Sequence, residues 1–313
     1  MRRREILLGL LGGSAWLAGL ELRRALAETP EERAEAWRRE AIDGFPFELV
    51  ETSGRDALST WETLRGEGRG SPVVLGAEED LARVAEQRLY FSTEGQESPE
   101  DLLKKTEGLE HPEGLRSFIK LERARSKALL LRLRDQEPNP SAGGLTITGP
   151  EGTRHLSFEE AIDYFLETME EDPEPEIGRW PNRPAVSAGL SVARETISDR
   201  PFDKVYIAVL PTEDSTTIPI HLRWGNWNAC PPPEYHVAAL RSWRDRYGAE
   251  LVGLSGDVMN LRVARRPGTR AEALALAREH YDYCNDVVDQ GLGTLSRLAA
   301  SLMADDWWFF WWD

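Results

Sequence analysis

An α+β fold is predicted, with a C-terminal domain built as a largely antiparallel sheet carrying packed helices and a smaller α/β region before it. Three observations carry this expectation. In the last 110 or so residues, strand-like runs come in neighbouring pairs, as at 250–254 and 258–264 across Ser255-Gly256-Asp257, which reads as a hairpin. The intervening segments repeat apolar residues at helical spacing, giving the order β-β-α-β-β-α-α-β. The chain closes on Trp307-Trp308-Phe309-Phe310-Trp311-Trp312-Asp313. Six consecutive rings, each carrying roughly 150–250 Å² to bury, read as the last strand of a core rather than a frayed end.

The elements follow in order. Arg2-Arg3-Arg4, the apolar run 6–20 and the small residues of Ala25-Leu26-Ala27 form the three parts of an export signal, with a mature start expected at Glu28. Arg3-Arg4-Glu5-Ile6-Leu7 is similar to the twin-arginine signal. The apolar run is too short to span a bilayer, so no stable membrane span is expected once it is removed. An extracellular or cell-envelope location follows from this reading. Thr29-Pro30-Glu31-Glu32 then opens a helix reaching about residue 41.

Residues 45–50 read as a strand, and 57–65 as a helix with Leu58, Trp61 and Leu64 on one face. A buried strand is expected at 72–76, and a helix marked by Leu81, Val84 and Leu89. From 99 to 136 the chain is helical and charged, broken at His111-Pro112. Residues 145–156 form a hairpin around Gly149-Pro150-Glu151-Gly152, and a Glu-rich helix follows to Met169. The acidic, proline-interrupted stretch 170–176 is the most linker-like segment, so the domains expected are 28–180 and 181–313.

Beyond it, strands are predicted at 204–210 and 217–224. A helix introduced by Pro231-Pro232-Pro233 ends at Gly248, and further helices cover 269–290 and 294–303.

Composition bounds the function. The 313 residues carry a net charge of −16, with 41% hydrophobic and 29% charged residues. Nucleic acid and anionic lipid both need clusters of Lys and Arg, so nucleic-acid binding is disfavoured. Two cysteines exclude a small disulfide scaffold or a multi-thiolate zinc protein. No Gly-x-Ser-x-Gly elbow, phosphate loop or nucleotide fingerprint is present, and no cofactor is expected.

Several constellations remain open. His236, Leu240, Trp243 and Tyr247 share one helical face, which makes His236 a core histidine or a site residue. Cys230 and His236 together with His280 and Cys284 offer four ligands suited to tetrahedral zinc, though the first spacing is loose. Cys230 and Cys284 could equally form a disulfide in an exported protein, or stay as buried thiols. Glu279, Asp282, Asp286 and Asp289 line one stripe, a solvated face or a hard-cation site. His236 with Asp286 could act as a general base, and Cys284 as a nucleophile.

Trp224-Gly225-x-Trp227-Asn228-x-Cys230-Pro231, Glu234-x-His236-x-Ala238-x-Leu240-x-x-Trp243 and Tyr247-Gly248-Ala249 resemble the bacterial domain of unknown function 4253. So do the run from Ala275 through Tyr281, Tyr283, Cys284, Asp286, Val288, Gln290 and Gly291, and the closing Trp308-x-Phe310-Trp311-Trp312-Asp313. The resemblance covers about residues 203–313; it implies a shared fold and supplies no activity. His280 stands where the family pattern often carries another polar residue.

Two functions are therefore expected to compete. The first is an exported, non-catalytic module that binds a protein or small-molecule partner through its Trp-rich domain. The second is a hydrolase-like or metal-assisted enzyme. A candidate pocket in either case gathers Trp224, Trp227, Asn228, His236, Tyr283, Asp286 and Gln290.

Overall fold

The computed structural model describes residues 29–92, 97–135, 145–149, 152–170, 174–187 and 189–312. Residues 1–28, where an export signal is expected, the tip of the 145–156 hairpin, Asp313 and part of the acidic linker lie outside the described residues. The chain is α+β. Helices α1 (Pro30–Asp43), α2 (Ala57–Glu67), α3 (Glu78–Tyr90), α4 (Pro99–Lys105) and α5 (Glu113–Arg134) interleave with strands β1 (Glu48–Thr52) and β2 (Ser71–Gly76). Hairpin β3 (Leu145–Gly149) and β4 (Gly152–Leu156) leads to α6 (Phe158–Glu170). After β5 (Val205–Leu210) come α7 (Ile218–Leu222), α8 (Pro233–Tyr247), β6 (Glu250–Leu254), β7 (Val258–Arg262), α9 (Arg270–Tyr283), α10 (Leu295–Ala304) and β8 (Trp307–Trp311).

Six strands form one sheet in the order β1-β5-β2-β6-β7-β8. All pairings are antiparallel except β2 with β6, where Val74 faces Gly253. β5 sits between β1 and β2 because its run Val205-Tyr206-Ile207-Ala208-Val209-Leu210 is apolar on both faces, and all six residues are buried. Strands from before residue 180 and strands from after it thus share one sheet.

Strand alternation divides the interior. Val73, Leu75, Ala208 and Leu210 face the larger core with helices α8, α9 and α10. Val74, Val205, Ile207 and Val209 face the other side, covered by Trp61 of α2 and by Leu190, Val192 and Ala193. Trp61 satisfies its indole by donating to the Pro72 carbonyl at 2.8 Å. Gly253 makes the cover possible: a Cβ there would come within 2.5 Å of Val192.

Two expectations are corrected. Residues 217–224 are not a strand; a 3-10 turn at Ser215–Thr217 runs into α7. Pro219 lies in the first turn of that helix, where its missing N–H costs nothing. The helix expected over 269–290 stops at Tyr283. Cys284 turns extended (φ −149°, ψ 94°), and a π-helical turn, Val287–Leu292, follows. Gly293, at φ 82°, and Thr294, whose side chain accepts the Arg297 N–H, then restart the chain as α10. No helix among the described residues is long and apolar enough to cross a membrane.

Candidate functional site

The aromatic terminus organises the larger core. β8 is registered on β7, from Arg262 opposite Trp307 to Val258 opposite Trp311. Alternation sends Trp308, Phe310 and Trp312 inward, at 1%, 0% and 1% exposure. Phe309 points out and is exposed. Trp243 of α8 stacks on Phe310 with ring centroids 5.4 Å apart. His280 of α9 is edge-on to Trp308 at 4.6 Å and tilted against Phe310 at 4.8 Å.

Deeper in this layer lie His236, Tyr283 and Cys230. His236 Nδ1 is 2.6 Å from the Tyr283 hydroxyl, and its Nε2 is 3.5 Å from Cys230 Sγ. Burial holds the Tyr283 phenol well above its ordinary range, so it keeps its proton and donates it to Nδ1. Burial lowers His236 to about 3, which leaves a neutral imidazole with its remaining N–H at Nε2. Burial likewise raises Cys230 well above 9, and Cys284 up to about 12. Cys284 donates its thiol proton to the Trp311 carbonyl at 3.0 Å. Both thiols are therefore protonated and poor nucleophiles at neutral pH.

The loop over this group is conformationally unusual. Arg223, Asn226 and Asn228 all have positive φ, at 53°, 69° and 45°, and Gly225 stands at 112°. Such backbone persists only where its surroundings enforce it. Here Asn226 N–H donates to Pro231 O, Cys230 N–H donates to Trp227 O, and Gln87 donates to Gly225 O. Gly225 lies flush on the histidine: a Cβ would come within 2.7 Å of His236 Nε2 and 2.3 Å of Pro231 O.

The structure brings together only part of the expected pocket. Trp224, His236 and Tyr283 meet as rings, and Trp227 packs edge-on to Trp224 at 4.8 Å. They form solid core: Trp224 and His236 are wholly buried, and the Trp224 indole donates to Ser255 O. Asn228 sits in the strained loop. Asp286 and Gln290 turn to each other, the amide donating to the carboxylate at 2.8 Å.

Neither metal constellation forms. Among the described residues no three His, Cys, Asp or Glu side chains could hold a metal ion, so Cys230, His236, His280 and Cys284 are not a zinc set. The reason is orientation. His280 points into the Trp308 and Phe310 rings, while Cys284, past the helix end, points to β8. The carboxylate stripe is dispersed too. Glu279 pairs with Arg246, Asp282 with Arg116, and Asp289 accepts from Asn285. Of the alternatives open for the two cysteines, the structure has no bond between them: Cys230 and Cys284 are both free, buried thiols.

Two groups escaped the sequence reading. His111 joins the aromatic layer, 4.9 Å from Trp243, and burial lowers it to about 3. Nothing in its His-Pro context marks it as a core ring. The second group does have a sequence signal. Arg88 follows Leu81, Val84 and Ala85 at i+7, i+4 and i+3, which puts a cation on the buried stripe of α3. It lines a cleft of about 520 Å³ with Phe47, Arg69, His221, Leu210 and Pro211.

No match to the chain was found among curated proteins or among solved structures. Residues 206–313, which carry the aromatic layer, the strained loop and both cysteines, match the family model described as Domain of unknown function (DUF4253).

Proposed function

We propose that this is an exported, non-catalytic binding module. One observation carries the reading: the candidate thiols and imidazoles of the C-terminal domain, Cys230, Cys284, His236 and His280, are sealed in the core in their uncharged forms. His236 is 0% exposed, His280 1%, Cys230 4% and Cys284 1%. A general base needs a pKa near the working pH and reach to a substrate proton, and His236 has neither. Thiols raised by burial are the inert kind. The recognition surface in this reading is the open cleft beside Arg88 and Phe47, whose volume is that of a small-molecule site. Export rests on the basic, apolar and small-residue segments at 2–27, and α1 beginning at Pro30 suits a domain that starts just after the cut.

Thiol labelling with intact-mass detection tests the reading on protein recovered from the host's culture medium and envelope. Under native conditions neither cysteine should react with iodoacetamide within hours. Denaturation should expose both, on a chain beginning at Glu28 without zinc. Rapid native labelling of Cys284 or Cys230 at neutral pH, or zinc released only on denaturation, would overturn the non-catalytic assignment in favour of a His/Cys/Asp enzyme. A chain still beginning at Met1 in the cytosol would overturn export.

A further inference from the structure

We propose that a second cleft, between residues 180–184 and helices α9 and α10, docks an extended acidic peptide of a partner protein. The side-chain carboxylate of one Asp or Glu would sit on Arg270, and an apolar neighbour over Met303 and Ala304. The proposal goes beyond the Arg88 cleft of the reading above and does not depend on it.

Hydrogen bonds along α10 lay down the wall. The Leu295 and Ser296 N–H groups donate to the Glu176 and Ile177 carbonyls at 2.9 and 2.8 Å, and the Ser296 hydroxyl donates to Gly178 O at 3.1 Å. At the far end of the helix the Ser187 N–H donates to Asp305. The chain between therefore runs beside α10, and Trp180, Pro181 and Pro184 form one side of a cleft of about 620 Å³. Its floor is Ala300, Met303 and Ala304, at i, i+3 and i+4 on one face of α10. Two alanines leave depth, and the unbranched Met303 side chain adapts to the apolar group that enters.

Arg270, the first residue of α9, is the one charged group among the residues lining this cleft. Its guanidinium lies over the Trp180 ring at 4.6 Å from the centroid, and Trp180 is itself packed against the larger core. Stacking holds the guanidinium plane and leaves its N–H edge for two carboxylate oxygens. No carboxylate pairs with Arg270 among the described residues, and the Asn182 amide has no hydrogen-bond partner among them.

The acids nearby do not fill this role. Asp306 pairs with Arg266 at 3.3 Å and Glu174 with Arg278. Asp305 accepts the Trp307 N–H at 3.0 Å, and Glu272 the Gly268 N–H at 2.8 Å. Glu176 lies beside Leu295, roughly 14 Å along the helix from Ala304, beyond a Debye length. Arg179 and Arg183 are exposed on the wall segment itself, so with Arg270 the arginines outnumber Asp305 and Glu272. In a chain of net charge −16 this is a local positive surface, complementary to an acid.

Two features favour a peptide over a small organic acid. A carboxamide both donates and accepts, as a peptide group does, so Asn182 can pair with a passing backbone. Ile177 and Val186, on the chain before and after the lining run, are exposed large apolar residues. A ligand confined to the cleft leaves both uncovered, whereas an extended chain running through it can reach them.

Panning a phage-displayed library of random octapeptides against the mature chain tests this. Selected sequences should be enriched in Asp or Glu close to an apolar side chain. A selected peptide, synthesised with both ends blocked, should lose at least tenfold in calorimetric affinity when its acid is replaced by the amide. Arg270→Gln in the protein should cause an equal loss, and Asn182→Ala a several-fold one, both with wild-type circular dichroism. Arg262→Gln, on the sheet, should change affinity less than twofold. Selection without acid enrichment, or unchanged affinity in Arg270→Gln, would overturn the assignment. So would N-acetylglutamate binding as tightly as the peptide, since the site would then be one for a small acid. None of these outcomes touches the thiol chemistry on which the non-catalytic reading stands or falls.

Discussion

The hydroxyl of Tyr283 and Nδ1 of His236 stand 2.6 Å apart, with neither residue more than 1% exposed. Each group satisfies the other where no water reaches, so the pair holds α8 to the end of α9. Tyr283→Phe leaves the imidazole nitrogen buried without a donor, and a cost of about 1–3 kcal/mol is expected. A urea titration that returns the wild-type midpoint would show that the hydrogen bond carries no net stability.

Acid should unfold this protein through its histidines. His111 and His236 are lowered to about 3 and His280 is lowered well below 6.5, in each case chiefly by burial. The unfolded chain therefore binds more protons between pH 6.5 and 3. The stability from neutral burial is full above pH 6.5 and drains as the pH falls through that window, by up to about 1.4 kcal/mol per pH unit for each histidine. His280→Leu should flatten the fall in urea-derived stability from pH 6.5 to 4. An unchanged slope would count against the neutral, buried imidazole.

Asp80 works with the opposite sign. Burial raises its carboxyl to about 6, while its side chain accepts the Ala77 N–H. In the folded state it keeps a proton that the unfolded chain loses, so its contribution to stability declines as pH rises from about 4 to 6 and stays low above that. Asp80→Asn retains an acceptor for Ala77 and should be more stable than wild type at pH 7, with little difference at pH 4. Denaturant midpoints of the two proteins at both pH values check the sign.

Two glycines should respond in opposite directions to the same substitution. Gly225→Ala puts a methyl 2.3 Å from Pro231 O at a φ of 112° and should collapse the 223–228 loop or prevent folding. Gly66 lies inside α2 with nothing within 4 Å of its virtual Cβ. Gly66→Ala should stabilise by about 0.5–1 kcal/mol through helix propensity and lost unfolded-state entropy. Thermal melts of the two variants are the measurement.

Trp308→Ala removes a ring that is 1% exposed and touches Trp243, Tyr247 and His280. A loss of about 3–5 kcal/mol is expected. Phe309→Ala, on the exposed face of the same strand, should cost far less. Equal losses would mean that β8 is not registered as described.

Most elements were legible because their signals are local. The α8 boundaries follow from two prolines before it, a third at its first position and Gly248 after it, and β8 from alternating aromatic burial. The two errors fell where local signals compete. An apolar run with threonines at 216–222 suits a strand until Pro219 and the Asp214 cap on Thr216 wind it into a turn. The apolar seam of α9 continues past Cys284, but the helix does not, because the Cys284 thiol is held by Trp311 of β8. Of the candidate site, the aromatic rings and His236 were foreseen as neighbours, whereas the Arg88 cleft was not.

By itself, the sequence determined the α+β class, the core faces of the helices and the terminal aromatic strand, since each depends on spacing over a few residues. Only the tertiary structure decided that β5 inserts between β1 and β2, strands that lie more than a hundred residues away in the chain. It alone decided that His280 and Cys284, one turn apart, point to different partners, and that Arg88 lies over Phe47 beside the His221 carbonyl. Chain spacing fixes which face a side chain occupies. What that face meets is fixed by long-range pairing, where the burial of each sheet surface is settled.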